Sequence, residues 1–185
     1  MTKTPSNMMP LGTKAPDFNL IDTVSGTNKS LSELKSDTAT VVMFICNHCP
    51  FVKHIRDGLI NLANDYTPKG ISFIAISAND ASEYPEDAPD KMKAVAQEFG
   101  YPFSYLYDES QETAKAYDAA CTPDLYIFDH DLRCVYRGQF DSSRPGSNVP
   151  VTGKDMSSAL DDILRRMPIS VQQRPSLGCN IKWKH

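Results

Sequence analysis

The chain has 185 residues, 41% of them hydrophobic and 23% charged, with a net charge of -4. That suits one domain with its own core, and the acidic balance argues against nucleic acid or anionic membrane as a main partner, since both select basic surfaces. The longest apolar run, residues 41–46, is six residues and far below a membrane span; residues 1–7 lead into no apolar stretch, so the expectation is a cytoplasmic protein without a secretory signal.

Residues 1–10, rich in Ser, Thr, Met and Pro, read as a flexible N-terminal arm. Residues 17–22 alternate as a strand, with a turn at Ser25-Gly26-Thr27 and a return strand after it. Ser30 and Glu33 have capping-box spacing for a short helix. Residues 41–45 are apolar on both faces, the mark of a central strand covered by helices. Pro50 fits a first helical turn, and Val52, Ile55, Leu59, Leu62 and Tyr66 give that helix one buried stripe, ended by residues 67–70.

Residues 71–76 form a second buried strand. A loop rich in Pro, Asp and Glu runs over 79–90, its acidic stretch 83–90 reading as a solubilising surface, and the helix after it turns Met92, Val95, Ala96 and Phe99 inward. A short strand over 103–106 and a small helix over 110–117 follow. Residues 125–128 and 132–137 flank the turn Asp129-His130-Asp131 as a hairpin. A last helix begins near Thr152, with Met156, Leu160, Ile163, Leu164 and Met167 on one face; the tail after Pro168 is irregular. The sum is one α/β domain over 11–168 around a mixed sheet, with a C-terminal arm over 169–185 packing on it.

Five cysteines (46, 49, 121, 134 and 179) are odd in number and scattered except for the first pair, unlike a secreted disulfide scaffold. Cys46-Asn47-His48-Cys49 lies between the most apolar strand and a helix. Unpaired N–H groups and the positive dipole end at a helix start favour a thiolate, the reactive form of cysteine. The expectation is that Cys46, nearer solvent, is the attacking thiol and a thiolate at neutral pH. Cys49 then resolves, and His48, aided by Lys53 and His54, adds positive potential. Zinc held by Cys46, His48, Cys49 and His54 is a rival, disfavoured because structural zinc generally takes two separated ligand pairs. No metal is therefore expected.

Strand, Cys-x-x-Cys, helix and a later Thr-Pro before a hairpin resemble the thioredoxin fold. The opening Leu11-Gly12-Thr13-Lys14-Ala15-Pro16-Asp17-Phe18-Asn19-Leu20 is similar to the first strand of peroxiredoxins. The whole pattern, including Tyr136-Arg137-Gly138-Gln139-Phe140-Asp141, Ser143-Arg144-Pro145-Gly146 and Gly178-Cys179-Asn180-Ile181-Lys182-Trp183, resembles the peroxiredoxin-like, AhpC/TSA-type thioredoxin-family proteins. The resemblance implies a cis-proline at Pro123, after Thr122, in a loop that offers backbone groups to an incoming peptide or mixed disulfide. It would also bring Cys121 near the active site.

Two departures qualify the resemblance. Peroxiredoxins place Pro and Thr or Ser seven and three residues before the peroxide-attacking cysteine; Ala39 and Met43 stand there relative to Cys46, and Val42 and Cys46 relative to Cys49. Thioredoxin itself has Trp before its first cysteine and Asp six before it, where this chain has Ile45 and Thr40. The Asn-His dipeptide is closer to disulfide-forming and isomerising relatives.

The reading is a thiol–disulfide oxidoreductase serving redox homeostasis or antioxidant defence. It needs no cofactor beyond the Cys46–Cys49 disulfide, and its partners are protein or small-molecule disulfides and thiols. A thiol peroxidase acting through Cys46 and a non-catalytic redox-sensing module are the alternatives. Cys134 is expected to be packing. Cys179, on the arm, is either buried packing or a third redox thiol exchanging with Cys46 or Cys121. Asp17, Asp22, Asp141 and Arg144 acquire no catalytic role.

Overall fold

In a computed structural model, which describes residues 3–185, the apolar run becomes β4 (Ala39–Phe44), every residue of it buried. It pairs in parallel with β5 (Ile71–Ser77) and antiparallel with β8 (Asp124–Asp129), so both edges are hydrogen-bonded and both faces are covered. A strand so placed has no solvent side and no reason to alternate. β6 (Ser104–Tyr107) extends the parallel part beside β5; β2 (Asn19–Asp22), β3 (Asn28–Ser30) and β9 (Cys134–Arg137) add antiparallel edges. The seven-stranded order is β3-β2-β6-β5-β4-β8-β9.

Val41 and Met43 face one layer, built from α2 (Pro50–Tyr66), α3 (Pro89–Glu98) and α5 (Lys154–Leu164). Val42 and Phe44 face the other, with Leu31 of α1 (Leu31–Leu34) and Ala114 of α4 (Glu112–Ala116). The expected α/β architecture, a mixed sheet between helices, is therefore present. The expected stripe of α2 is buried at all five positions. At α1 the capping box is formed: Ser30 Oγ accepts from Glu33 N, and the Glu33 carboxylate accepts from Ser30 N at 2.8 Å.

Three expectations give way. Met167 does not lie on the buried face of α5; the helix ends at Leu164, Arg166 takes a φ of 56°, and Met167 is 57% exposed. The last hairpin strand starts at Cys134 rather than Leu132, because Leu132, at a φ of 58°, belongs to the turn. The flexible arm and the irregular tail also change. Residues 1–2 of the arm lie outside the described residues. Beyond them, β1 (Lys3–Pro5) pairs with β10 (Leu177–Asn180), and β10 pairs in turn with β7 (Cys121–Thr122), making a second, three-stranded antiparallel sheet.

This small sheet brings the tail against the Thr122–Pro123 peptide, which is cis. Its register sets Cys179 opposite Lys3 on one side and Thr122 on the other. Gly178 is what permits the approach: a Cβ there would stand 2.0 Å from the Thr122 carbonyl oxygen, part of a backbone that cannot swing aside. Gly178→Ala is therefore expected to cost about 1–3 kcal/mol in chemical denaturation, in the range of overpacked sites, and to speed proteolysis of the tail. Unchanged stability and protection would contradict this packing.

Candidate active site

Loops from the C-terminal ends of parallel strands converge on one edge of an α/β sheet. Here the loop after β4 carries Cys46 to Cys49, and the loop after β5 carries Asp87. The ladder runs one residue past β4, Ile45 N donating to Ile76 O at 3.0 Å, and the chain then turns into α2. That helix starts at Pro50, so Cys49 is its N-cap, with extended dihedrals of -67° and 123°. A first-turn proline dictates this, since the residue just before it becomes the cap. The expectation that Cys46 sits at the helix start, nearer solvent, is thus corrected: Cys46 lies three residues earlier, at the strand's end. Neither sulfur-bearing residue is open, Cys46 being 1% and Cys49 0% exposed.

The two thiols have opposite tendencies. Cys46 is pushed well up by its hydrogen bond to Cys49, by burial and by the negative charge of Asp87. Cys49 is lowered to about 5: the hydrogen bond from Cys46 contributes most, burial opposes it, and Cys179, Thr122 and the Val52 N–H add to the lowering. The Thr122 carbonyl, 3.1 Å from Cys49 Sγ, favours the protonated form but is outnumbered by these donors. Between these two thiols the direction favours ionisation at Cys49, the N-cap of α2.

His48 brings a ring nitrogen within 4.8 Å of Cys46 Sγ and is itself held by Asp87. Its Nδ1 lies 2.6 Å from Asp87 Oδ2, and its ring stacks on Tyr84 with centroids 5.5 Å apart. Nε2 has no hydrogen-bond partner among the described residues. The Asp87 hydrogen bond raises the imidazole above its ordinary value against the pull of burial. Burial alone would raise the Asp87 carboxyl, but hydrogen bonds from His48, Asn79 and the Asn47 N–H hold it below the usual range. Asp87, buried completely, departs from the solubilising role expected of residues 83–90, whose other acids Glu83, Glu86 and Asp90 are exposed. It accepts from Asn47 N at 2.8 Å and Asn79 Nδ2 at 2.8 Å, while Asn47 Oδ1 accepts from Tyr105 OH at 3.0 Å. Its place after β5, next to β4, was the signal available.

Across the site, Thr122 Oγ1 lies 3.4 Å from Cys46 Sγ. Cys179 Sγ lies 2.9 Å from Cys49 Sγ, so the tail does bring a third sulfur to the pair. Cys121 is buried behind Thr122, its thiol raised by burial and by Asp124; Cys134 is packed in the other core layer, as expected. Lys53 is exposed, and His54 Nε2 is 2.7 Å from Ser143 Oγ. Asp141 accepts from Thr152 N and Gly153 N, both at 2.7 Å, so its place is structural, at the start of α5. Cys46, His48 and Asp87 offer a sulfur, a nitrogen and an oxygen within 4.8 Å of one another, ligand types that zinc accepts.

The model of the AhpC/TSA family matches residues 11–137. A crystal structure of an uncharacterized conserved protein from Geobacillus kaustophilus is 61% identical, with a TM-score of 0.98 over 100% of this chain and 97% of that one. A hypothetical protein from Sinorhizobium meliloti is 46% identical, with a TM-score of 0.95 over 98% of each chain. Peroxidoxin BcpB from Mycobacterium tuberculosis, 20% identical, has a TM-score of 0.63 over 85% of this chain and 97% of that one, a likeness of fold. Among curated proteins none matches the chain. No helix among the described residues is long and apolar enough to cross a membrane.

The His48–Asp87 pair sets a pH window. A raised imidazole contributes stability in full below its ordinary value of about 6.5 and loses it as pH rises through the raised value. A lowered carboxyl contributes above its ordinary value of about 3.9 and loses it as pH falls through the lowered one. The pair is therefore intact between the two. NMR titration should place His48 above the ordinary midpoint, and Asp87→Asn should bring it down. A midpoint unmoved by that change would contradict the pairing.

Proposed function

We propose, from the premise that this chain belongs to the AhpC/TSA family, that it is a thiol–disulfide oxidoreductase in which Cys49 is the nucleophile. One observation carries the reading: Cys49 caps α2 beside the Thr122–Pro123 loop, with its thiol lowered to about 5. The attacking species of this proposal is the Cys49 thiolate, which that lowering favours at neutral pH. Thioredoxin-like architecture and a second thiol in the same motif support the same conclusion.

The Cys49 thiolate attacks one sulfur of a substrate disulfide, forms a mixed disulfide and expels the other substrate sulfur as a thiolate. A neighbouring protein thiol gives up its proton and attacks Cys49 Sγ. This closes an internal disulfide and releases the second substrate sulfur as a thiol. Two electrons pass from two protein sulfurs to the substrate, so no tightly bound cofactor is needed. Cys46 is the second thiol of the motif, and the Asp87–His48 pair holds the loop between the two cysteines. Reduced protein thiols of this kind suit a cytoplasmic setting, in keeping with redox homeostasis.

A second reading is a thiol peroxidase, favoured by the closure of the site, since Cys49 at 0% exposure admits a hydroperoxide more readily than a protein disulfide. There the thiolate passes through a sulfenic acid. Turnover of oxidised glutathione with a thiol donor, run beside peroxide consumption, separates the two. Disulfide turnover is expected to fall to background in Cys49→Ser and to be reduced without being lost in Cys46→Ser. Full activity in Cys49→Ser would overturn the reading, and peroxide as the much faster substrate would favour the second.

A further inference from the structure

The C-terminal arm is fixed on both sides of Cys179. Before it, Ser176 Oγ donates to Gly138 O at 2.8 Å, and Ser6 N donates to Ser176 O at 2.9 Å. After it, Ile181 N donates to Ala120 O at 3.1 Å, and Lys182 O accepts from Asp80 N at 2.9 Å and Gln111 Nε2 at 2.8 Å. Asn79 ties this arm to the reactive loop: its Oδ1 accepts from Lys182 N at 2.9 Å and its Nδ2 donates to Asp87 Oδ2 at 2.8 Å. The sulfur between these anchors stands 2.9 Å from Cys49 Sγ, within a small displacement of the roughly 2.05 Å of a disulfide bond.

Cys46 is held differently. Its Sγ faces Thr122 Oγ1, and the loop that follows it is pinned through Asn47 N to Asp87. The arm also takes up the backbone of Thr122, which pairs with Cys179 across β10 and β7. A peptide approaching Cys49 along that side of Thr122 meets the arm first.

We propose that Cys179 is the resolving thiol for Cys49, and that the arm carrying it confines Cys49 to small-molecule disulfides. The proposal rests on the reading of Cys49 as a redox nucleophile. A small disulfide RSSR is attacked by the Cys49 thiolate, giving Cys49–S–S–R and one RS⁻. Cys179 loses its proton, attacks Cys49 Sγ and expels the second RS⁻. The product is a Cys49–Cys179 disulfide and two reduced small thiols. Cys46 remains a thiol throughout and serves as a positioning donor. Reduction of the arm disulfide by a low-molecular-weight dithiol returns the protein to its starting state.

The test uses the full reduced chain, oxidised glutathione as oxidant, acid quench, alkylation and peptide mass mapping. Cys179 is expected joined to the peptide of residues 36–53, with fragmentation placing the bond at Cys49 and leaving Cys46, Cys121 and Cys134 alkylated. The Cys179→Ser protein should lose this linkage and accumulate glutathione on Cys49, while insulin is reduced at background by the wild type. A Cys46–Cys49 bond with Cys179 alkylated would overturn the inference and leave the redox reading standing. Absence of any oxidation at Cys49 would defeat both, and insulin reduction matching that of glutathione disulfide would overturn the size restriction.

Discussion

Asp87 is a carboxylate with no solvent exposure, and such a charge is tolerated only where hydrogen bonds replace its water. It finds them in the Asn47 and His48 N–H groups, the His48 imidazole and the Asn79 amide. Two of those donors are main-chain groups in the loop between the cysteines, so satisfying the charge also fixes the path of that loop. Asn79 extends the same network to Lys182, and through it to the arm that carries Cys179. The reactive loop and the third sulfur are thus positioned by one buried anion. Its field also bears on the chemistry, because negative charge near Cys46 opposes ionisation there.

The consequence is an unequal division of charge among three neighbouring sulfurs. Cys46 is raised by its hydrogen bond to Cys49, burial and Asp87, while Cys179 is raised to about 12 by burial and its contact with Cys49. Cys49 alone is lowered, through its interactions with both neighbouring thiols, and it sits at the N-terminus of α2. Thiols that stay protonated next to a thiolate act as donors to it, and each can later serve as an attacking group once Cys49 carries a substrate sulfur.

Much of this was legible in the sequence. The run before Cys46 is too apolar for anything but a central strand, the stripe of α2 is regular, and the Thr122–Pro123 loop followed from a family resemblance. The helix start was placed at Cys46 although the deciding residue is adjacent: Pro50, as a first-turn proline, makes Cys49 the cap. Asp87 resisted reading for another reason. An acid in a Pro- and Glu-rich loop looks solvated, and only the folding of that loop over the end of β4 buries it. The tail gave no periodic signal because β10 is four residues long, includes Gly178, and is defined by partners far away in sequence, β1 near the N-terminus and β7 at Cys121–Thr122.

The central claim is that the ionised sulfur belongs to Cys49, and ¹³Cβ shifts of the cysteines, followed against pH in the reduced protein, address it residue by residue. The account predicts that Cys49 titrates first, with a midpoint near 5, while Cys46 stays protonated through neutral pH. Cys46 ionising first, with Cys49 still protonated, would contradict it.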